Sequence, residues 1–315
     1  MVMALVTLEA AAAILARGGL VGMPTETVYG LAADALDPHA VARIFAAKGR
    51  PAFDPLIVHV ADLDQAAAVA ELSPRARRLA AACWPGPLTL LLPRRACVPD
   101  LVTSGLPTVG VRVPDHPLAL ALIRAAGRPL AAPSANPFGG LSPTTAAAVL
   151  EGLGGRIDGV LDGGPCRVGV ESTVLRPDPE PLILRPGGLT RERLEAILGE
   201  PVAVADRPAR QDALPQAAPG MLASHYAPRA PMVLRDGPWP ADAALLAFTG
   251  RDLPPGVPAE ILSPGGDDVE AAARLFACLR RLDAAGPARI CAELLPPGGL
   301  GLAVNDRLRR AAGLG

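Results

Sequence analysis

Lysine is almost absent from this sequence. Of its 30 basic residues, one is lysine (Lys48) and 29 are arginine; Asn occurs twice (Asn136, Asn305), Tyr twice (Tyr29, Tyr226) and His four times. The matching excess of Ala, Gly, Pro and Arg is what a GC-rich coding sequence produces. A lysine that survives such a bias is informative, because Arg can replace a solvated Lys but not a compact ammonium fitted to one pocket. The scarcity also excludes. A Walker A loop needs Gly-Lys-Ser/Thr, and Lys48 stands between Ala47 and Gly49, so a standard P-loop NTPase is ruled out. The five cysteines (Cys83, Cys97, Cys166, Cys278, Cys291) are odd in number, scattered and without a CxxC pair. That is neither a disulfide framework nor a zinc site, and it points to a reducing cytoplasm. No run of about 18 apolar residues occurs, so no membrane contact is expected. Residues 2–16 are apolar but lack a basic leader and contain Glu9, which favours a helix over a signal peptide. An excess of one charge is missing too, with 30 basic against 31 acidic residues and a net charge of −1. Any phosphate or nucleic-acid contact must then come from a local patch.

What is present is a large core. The chain has 315 residues, 50% hydrophobic and 19% charged, enough for two domains at roughly 100–200 residues each. Helices are expected over 7–17, 37–47, 62–71, 74–83, 117–126, 143–151 and 190–198, the last capped by Thr190. Strands are expected over 20–23, 56–60, 88–92, 108–113, 130–132, 158–161, 172–176 and 182–184. Their irregular alternation indicates an α/β domain over 1–200 with a mixed twisted sheet. Residues 201–230 dissolve into Ala, Pro, Arg and Gln and read as a linker. Yet their PGMLASHYAP stretch carries a His, a Met and a Tyr that a spacer does not need. A smaller α/β unit follows over 231–315, with strands near 231–235, 243–248 and 289–294 and helices near 268–284 and 302–312.

Four segments carry polar residues that core packing does not explain. Pro24-Thr25-Glu26-Thr27-Val28-Tyr29-Gly30 offers hydroxyls and N–H groups at an expected helix start, a cradle for carboxylate or phosphate; an ordinary helix cap would look the same. Lys48-Gly49-Arg50-Pro51 places two cations two residues apart, suited to a polyanion, against the reading of a solvated turn. His59, in an apolar strand, taken alone reads as a core histidine. Ala132-Pro133-Ser134-Ala135-Asn136, leading to Ser142, combines small residues with hydrogen-bonding ones. Ser134 lacks the GxSxG elbow of a nucleophile and reads as a ligand-binding hydroxyl. Finally, Arg112 (in TVGVRV) and Arg185 (in LRPG) lie in or beside strands near Gly169-Val170-Glu171-Ser172-Thr173. A buried arginine there requires an anion from a side chain or a ligand. Together these residues describe a nucleotide site that works by positioning and electrostatics, without P-loop, metal cluster or covalent nucleophile.

The same segments, in order, resemble the threonylcarbamoyl-AMP synthase family. PTETVYGL, KGRP…PLIVHV, WPGPLT, TVGVRVPDHP, APSAN, DGG…GVEST and LRPG are similar to its YrdC-like domain. PGMLASHYAP and GLGLAVNDRLRRA are similar to its long, two-domain form. The resemblance implies a YrdC-like sheet with a large concave cavity and a small Rossmann-like C-terminal domain. It implies a nucleotidyltransferase that condenses L-threonine, bicarbonate and ATP, with Mg²⁺ on the ATP phosphates rather than on protein side chains. The product is threonylcarbamoyl-adenylate plus pyrophosphate, and it feeds tRNA threonylcarbamoyltransferase proteins that modify an adenosine beside the anticodon.

The family's catalytic tetrad falls on Lys48, Arg50, Ser134 and Asn136. Its ATP contacts fall on these four and on Asp54, Thr108, Ser142 and Arg185, with Ser224, His225 and Tyr226 brought in by a linker lying over the cavity as a lid. Its L-threonine contacts fall on Thr27, His59, Arg112, Ala132 and Ser172. Asp54 departs from the pattern, where Asn is expected. A different class of function, RNA binding or ribosome assembly through a basic concave face, is disfavoured by the net charge and the 3% aromatic content, though weak tRNA contact stays open. A carbamoyl-adenylate enzyme of hydrogenase maturation would share the domain but needs zinc-finger and acylphosphatase modules that have no counterpart here.

Overall fold

The computed structural model describes residues 5–205 and 225–314. Helix α1 (Leu8–Ala16) leads into β1 (Val21–Met23) and β2 (Gly30–Asp34), and α2 (Pro38–Lys48) into β3 (Ile57–His59). Helices α3 (Leu63–Val69) and α4 (Pro74–Cys83) precede β4 (Leu88–Pro93); the one-turn α5 (Asp100–Thr103) precedes β5 (Thr108–Arg112). Next come α6 (Pro117–Ala126), β6 (Leu130–Ala131), α7 (Ala146–Leu153), β7 (Gly159–Val160), β8 (Thr173–Arg176), β9 (Leu182–Arg185), α8 (Arg191–Leu198) and β10 (Ala203–Val204). These ten strands form one mixed sheet in the order β10-β9-β8-β4-β5-β3-β6-β2-β1-β7. The second unit holds β11 (Met232–Leu234), β12 (Ala244–Ala247), β13 (Ala259–Ile261), α9 (Asp268–Ala284), β14 (Ile290–Ala292) and α10 (Gly301–Ala311). Its sheet, β11-β14-β12-β13, is parallel throughout.

Local signals place the elements that build the site. α2 is capped by Asp37, which accepts from His39 N, carries Pro38 in its first turn and stops at Gly49 with φ +64. Those three features deliver Lys48 on the helix's last turn. β3 and β5 pair in parallel with His59 opposite Arg112, which sets the two side by side. β3 also pairs with β6, whose exit carries Ala132 and the APSAN loop.

Two expectations need correction. The PTETVYG segment starts no helix. It is a loop running into β2, which pairs antiparallel with β1 and β6, and its β-branched and aromatic residues are buried there. Residues 203–204 pair with β9, so the large sheet extends past residue 200 into the segment read as linker. Of the linker expected over 201–230 as a lid, residues 206–224 lie outside the described residues. Finally, β13 and α5 went unread.

The units share a core. Val28, Leu141, Val170 and Tyr226 pack with Leu275, Phe276 and Val304 of the second unit. Gly169, at φ +79, lets the chain pass so close to α9 that a Cβ there would stand 2.3 Å from Ala272 O.

Candidate active site

A cleft of about 520 Å³, counted with its mouth, opens in the first unit, with His225 and Tyr226 from the end of the expected linker on its wall. It is lined by Thr25, Thr27, Arg50, His59, Arg112, Ala132, Ser134, Glu171, Ser172, Arg185, His225 and Tyr226, among others. Segments far apart in sequence thus converge, and ten of the residues expected from the motifs lie on one wall or another: Thr27, Arg50, His59, Arg112, Ala132, Ser134, Ser172, Arg185 and the His225–Tyr226 pair.

Lys48 does not line the cleft. It is 3% exposed, and its Nζ donates to the carbonyls of Ser134 and Asn136, each at 2.6 Å. Burial, aided by Arg50 and opposed by Asp54, holds its pKa well below the usual lysine value. Asn136 turns inward too, donating to Pro137 O and Gly140 O. Lys48 and Asn136 therefore shape the APSAN loop whose Ser134 faces the cleft.

Arg50 donates to Asp54 O and Pro55 O and pairs with the Asp54 carboxylate at 3.0 Å, both side chains almost fully buried. The unexpected Asp54 is thus a counter-ion to Arg50. Arg112 spends Nε on Gly86 O and NH1 on Thr27 Oγ1, and pairs with Glu26 at 2.6 Å. The anion that a buried arginine requires is here a side chain. Arg185 donates to Ser172 O, and Ser172 Oγ shares a hydrogen bond with Thr89. His59 is pushed down to about 3 by burial, with Arg112 adding to it. His225 is pushed well down by burial and then by Arg50 and Lys48; both rings are neutral at ordinary pH. His225 meets Phe138 and Tyr226 edge-on, and Tyr226 holds φ +63.

Two expected residues go elsewhere. Thr108 lines a separate small cavity with Pro55, Leu56 and Thr89, because its place at the start of β5 puts it four residues from Arg112 along the strand. Ser142 is fully buried and donates to Glu171. Ser224 lies outside the described residues. Tyr29, the other scarce tyrosine, donates to Gly164 O away from the cleft.

The motifs did not single out the carboxylates Glu26 and Glu171 or the second unit's Arg307. For Glu171, burial alone would raise the pKa, but Arg307, Arg185 and Ser142 outweigh it and hold it below the usual range. Acids embedded in otherwise neutral, cation-rich motifs were the available signal. Among the described residues, no group of three or more His, Cys, Asp or Glu is placed to hold a metal. Glu26, Asp54 and Glu171 are each engaged by an arginine.

Cations, hydroxyls and neutral histidines gathered in one cleft define a nucleotide-handling enzyme that acts by positioning. Two family descriptions match the chain: "Telomere recombination" over residues 13–187 and "Threonylcarbamoyl-AMP synthase, C-terminal domain" over 189–313. The threonylcarbamoyl-AMP synthases of Pyrococcus abyssi and Bacillus subtilis are 45% and 44% identical to it, covering 96% of this chain and 93% and 92% of their own length. The crystal structure of P. abyssi Sua5 complexed with L-threonine superposes with a TM-score of 0.91 at 40% identity, over 100% of this chain and 98% of that one. The chain belongs to the threonylcarbamoyl-AMP synthase family, in its two-domain form.

Proposed function

We propose that this protein is a threonylcarbamoyl-AMP synthase that condenses L-threonine, bicarbonate and ATP into threonylcarbamoyl-adenylate and pyrophosphate, for threonylcarbamoyl modification of tRNA. The observation that carries the reading is the convergence of Arg50, Arg112 and Arg185 with Thr27, Ser134 and Ser172 on one cleft.

In this reading bicarbonate loses hydroxide to give CO₂, the threonine amine attacks its carbon to form an N–C bond, and the proton the amine sheds joins that hydroxide as water. A carbamate oxygen then attacks the α-phosphorus of ATP, and the bond to the pyrophosphate oxygen breaks. Both partners are anions, so the site must offset their repulsion. Arg50 and Arg185 face the phosphates, each a fork suited to bidentate contact. Arg112 already carries Glu26 and Thr27. It offers the threonine carboxylate its remaining N–H groups, with Thr27 fixed by the same guanidinium to meet the substrate. A cleft that hydrogen-bonds the threonine hydroxyl rejects an isostere lacking it, because the exclusion strands buried polar groups. Neutral His59 suits a pocket that must not compete for the carboxylate. The carboxylates of the site are committed to arginines and do not fit a resident metal; Mg²⁺ enters with ATP as part of the substrate. A closed cleft protects the carbamate and adenylate from water.

The RNA-binding reading finds no support in the cations that motivated it, since Arg50, Arg112 and Arg185 are 7%, 3% and 3% exposed rather than displayed on a face. A cytoplasmic location is part of the proposal; among the described residues no helix is long and apolar enough to cross a membrane. The test is pyrophosphate release from ATP by the full chain. It should require both L-threonine and bicarbonate. Sustained release without threonine would contradict the reading.

A further inference from the structure

One buried cation is unused by this chemistry. Arg307 of α10 has a side chain that is 0% exposed. Its Nε donates to Glu171 at 2.7 Å, its NH1 to Asp306 at 2.7 Å and to Pro186 O at 2.9 Å. Its guanidinium lies 4.9 Å from the ring centre of Tyr226, a favourable cation–π distance. Two of these contacts, Glu171 and Tyr226, are walls of the cleft, and a third, Pro186, follows the cleft residue Arg185. Asp306 also pairs with Arg310 at 3.3 Å, and the Arg310 carbonyl accepts from His225 N. A single turn of the second unit's last helix therefore reaches the His225, Tyr226 and Glu171 walls at once.

The charges make the arrangement specific. Glu171 feels both Arg307 and Arg185. A carboxylate held by Arg307 through one oxygen and by Ser142 through the other is a weaker competitor for Arg185. Tyr226 sits at a backbone angle that non-glycine residues rarely adopt, so it needs neighbours that over-determine it. His225 beside it is close enough to Arg50 and Arg185 to feel their charge, which puts these walls at the cation-rich end of the cleft. Thr27, His59 and Arg112 are bound to one another by strand register and hydrogen bonds, independently of α10.

We propose that Arg307 is a positioning residue for the nucleotide end of the cleft: it draws Glu171 away from Arg185 and seats Tyr226, so that the ATP site is complete only when the C-terminal unit is docked. The inference rests on the synthase reading for the identity of the nucleotide.

Arg307→Lys keeps the charge and loses the fork. Calorimetry on the full chain, with ATP and L-threonine as separate titrants, needs no turnover. ATP affinity should fall about tenfold or more while L-threonine affinity stays within about threefold. Unchanged ATP affinity, or equal loss for both ligands, overturns the inference. If Arg307→Lys does not fold, Asp306→Asn releases the same guanidinium from its other side and is read by the same two criteria. A wild-type chain that binds ATP but fails to couple pyrophosphate release to threonine would instead count against the synthase reading.

Discussion

Lys48 is held by two carbonyls rather than displayed to a ligand. The motif reads it as a cation suited to a polyanion, and the structure buries it under the APSAN loop. Its chemistry is still what makes lysine irreplaceable: a slim ammonium fits between Ser134 O and Asn136 O, and a planar guanidinium does not. Lys48→Met keeps the stem but leaves both acceptors unpaired. It should lower unfolding free energy by about 2–4 kcal/mol and pyrophosphate release by about a hundredfold, read by urea denaturation and the release assay; wild-type values in both would refute the pinning role. His59 makes a second residue-scale prediction. Its folded pKa is about 3, below the ordinary 6.5, so the unfolded chain takes up a proton below about pH 6.5 that the folded chain refuses until about pH 3. Stability therefore falls as pH is lowered across that window, by about 1.4 kcal/mol per pH unit for one histidine. His225, also depressed, adds in the same sense. His59→Gln should flatten the slope between pH 6 and 4 by about one proton's worth, and a slope equal to wild type's would show that His59 titrates normally.

At the scale of elements, the turn at Gly169 joins both halves of the site. Val168 N and Gly169 N donate to Glu26 O and Thr27 O, clamping the loop that carries the Arg112 partners, while the missing Cβ admits the α9 backbone. Gly169→Ala must strain a left-handed residue and push α9 outward. It should cost about 2–4 kcal/mol in urea denaturation and weaken threonine binding in calorimetry; a change under about 0.5 kcal/mol would mean the helix yields freely. Elements with their own end signals were legible. α2 carries Asp37, Pro38 and Gly49, and α8 carries Thr190, whose side chain accepts from Arg193 N. β2 was not legible, because its residues become a strand only by pairing with β1 and β6, and a loop of hydroxyls before it mimics a helix cap. The site divides in the same way. Thr27, Arg50, Arg112 and Ser134 stand in short motifs that announce them. Ser142 and Thr108 share those motifs but point elsewhere. Glu171 acquires its meaning from Arg307, 136 residues away, a separation no local pattern can bridge.

At the scale of the whole molecule, a small set of the charges is turned inward. A net charge near zero conceals arginines gathered at one cleft, each beside a carboxylate, and the second unit supplies part of that balance. It also covers apolar surface: Val28, Leu141 and Val170 of the first unit belong to its core cluster. A chain ending at residue 205 would expose these three, leave Glu171 without Arg307, and lack His225 and Tyr226. The large cluster formed by the first unit's own strands and helices, among them Leu31, Val58, Leu90 and Val111, is untouched by the cut. The shortened protein should therefore keep a folded α/β circular dichroism spectrum, less the helix signal of α9 and α10, while melting at lower temperature. The register-built group of Thr27, His59 and Arg112 should still bind L-threonine, within about tenfold of the full chain. Pyrophosphate release should fall by more than that, because the walls lost are those proposed above to meet the nucleotide and the cleft no longer excludes water. Kinetics equal to the full chain's would mean that the second unit serves something other than the reaction.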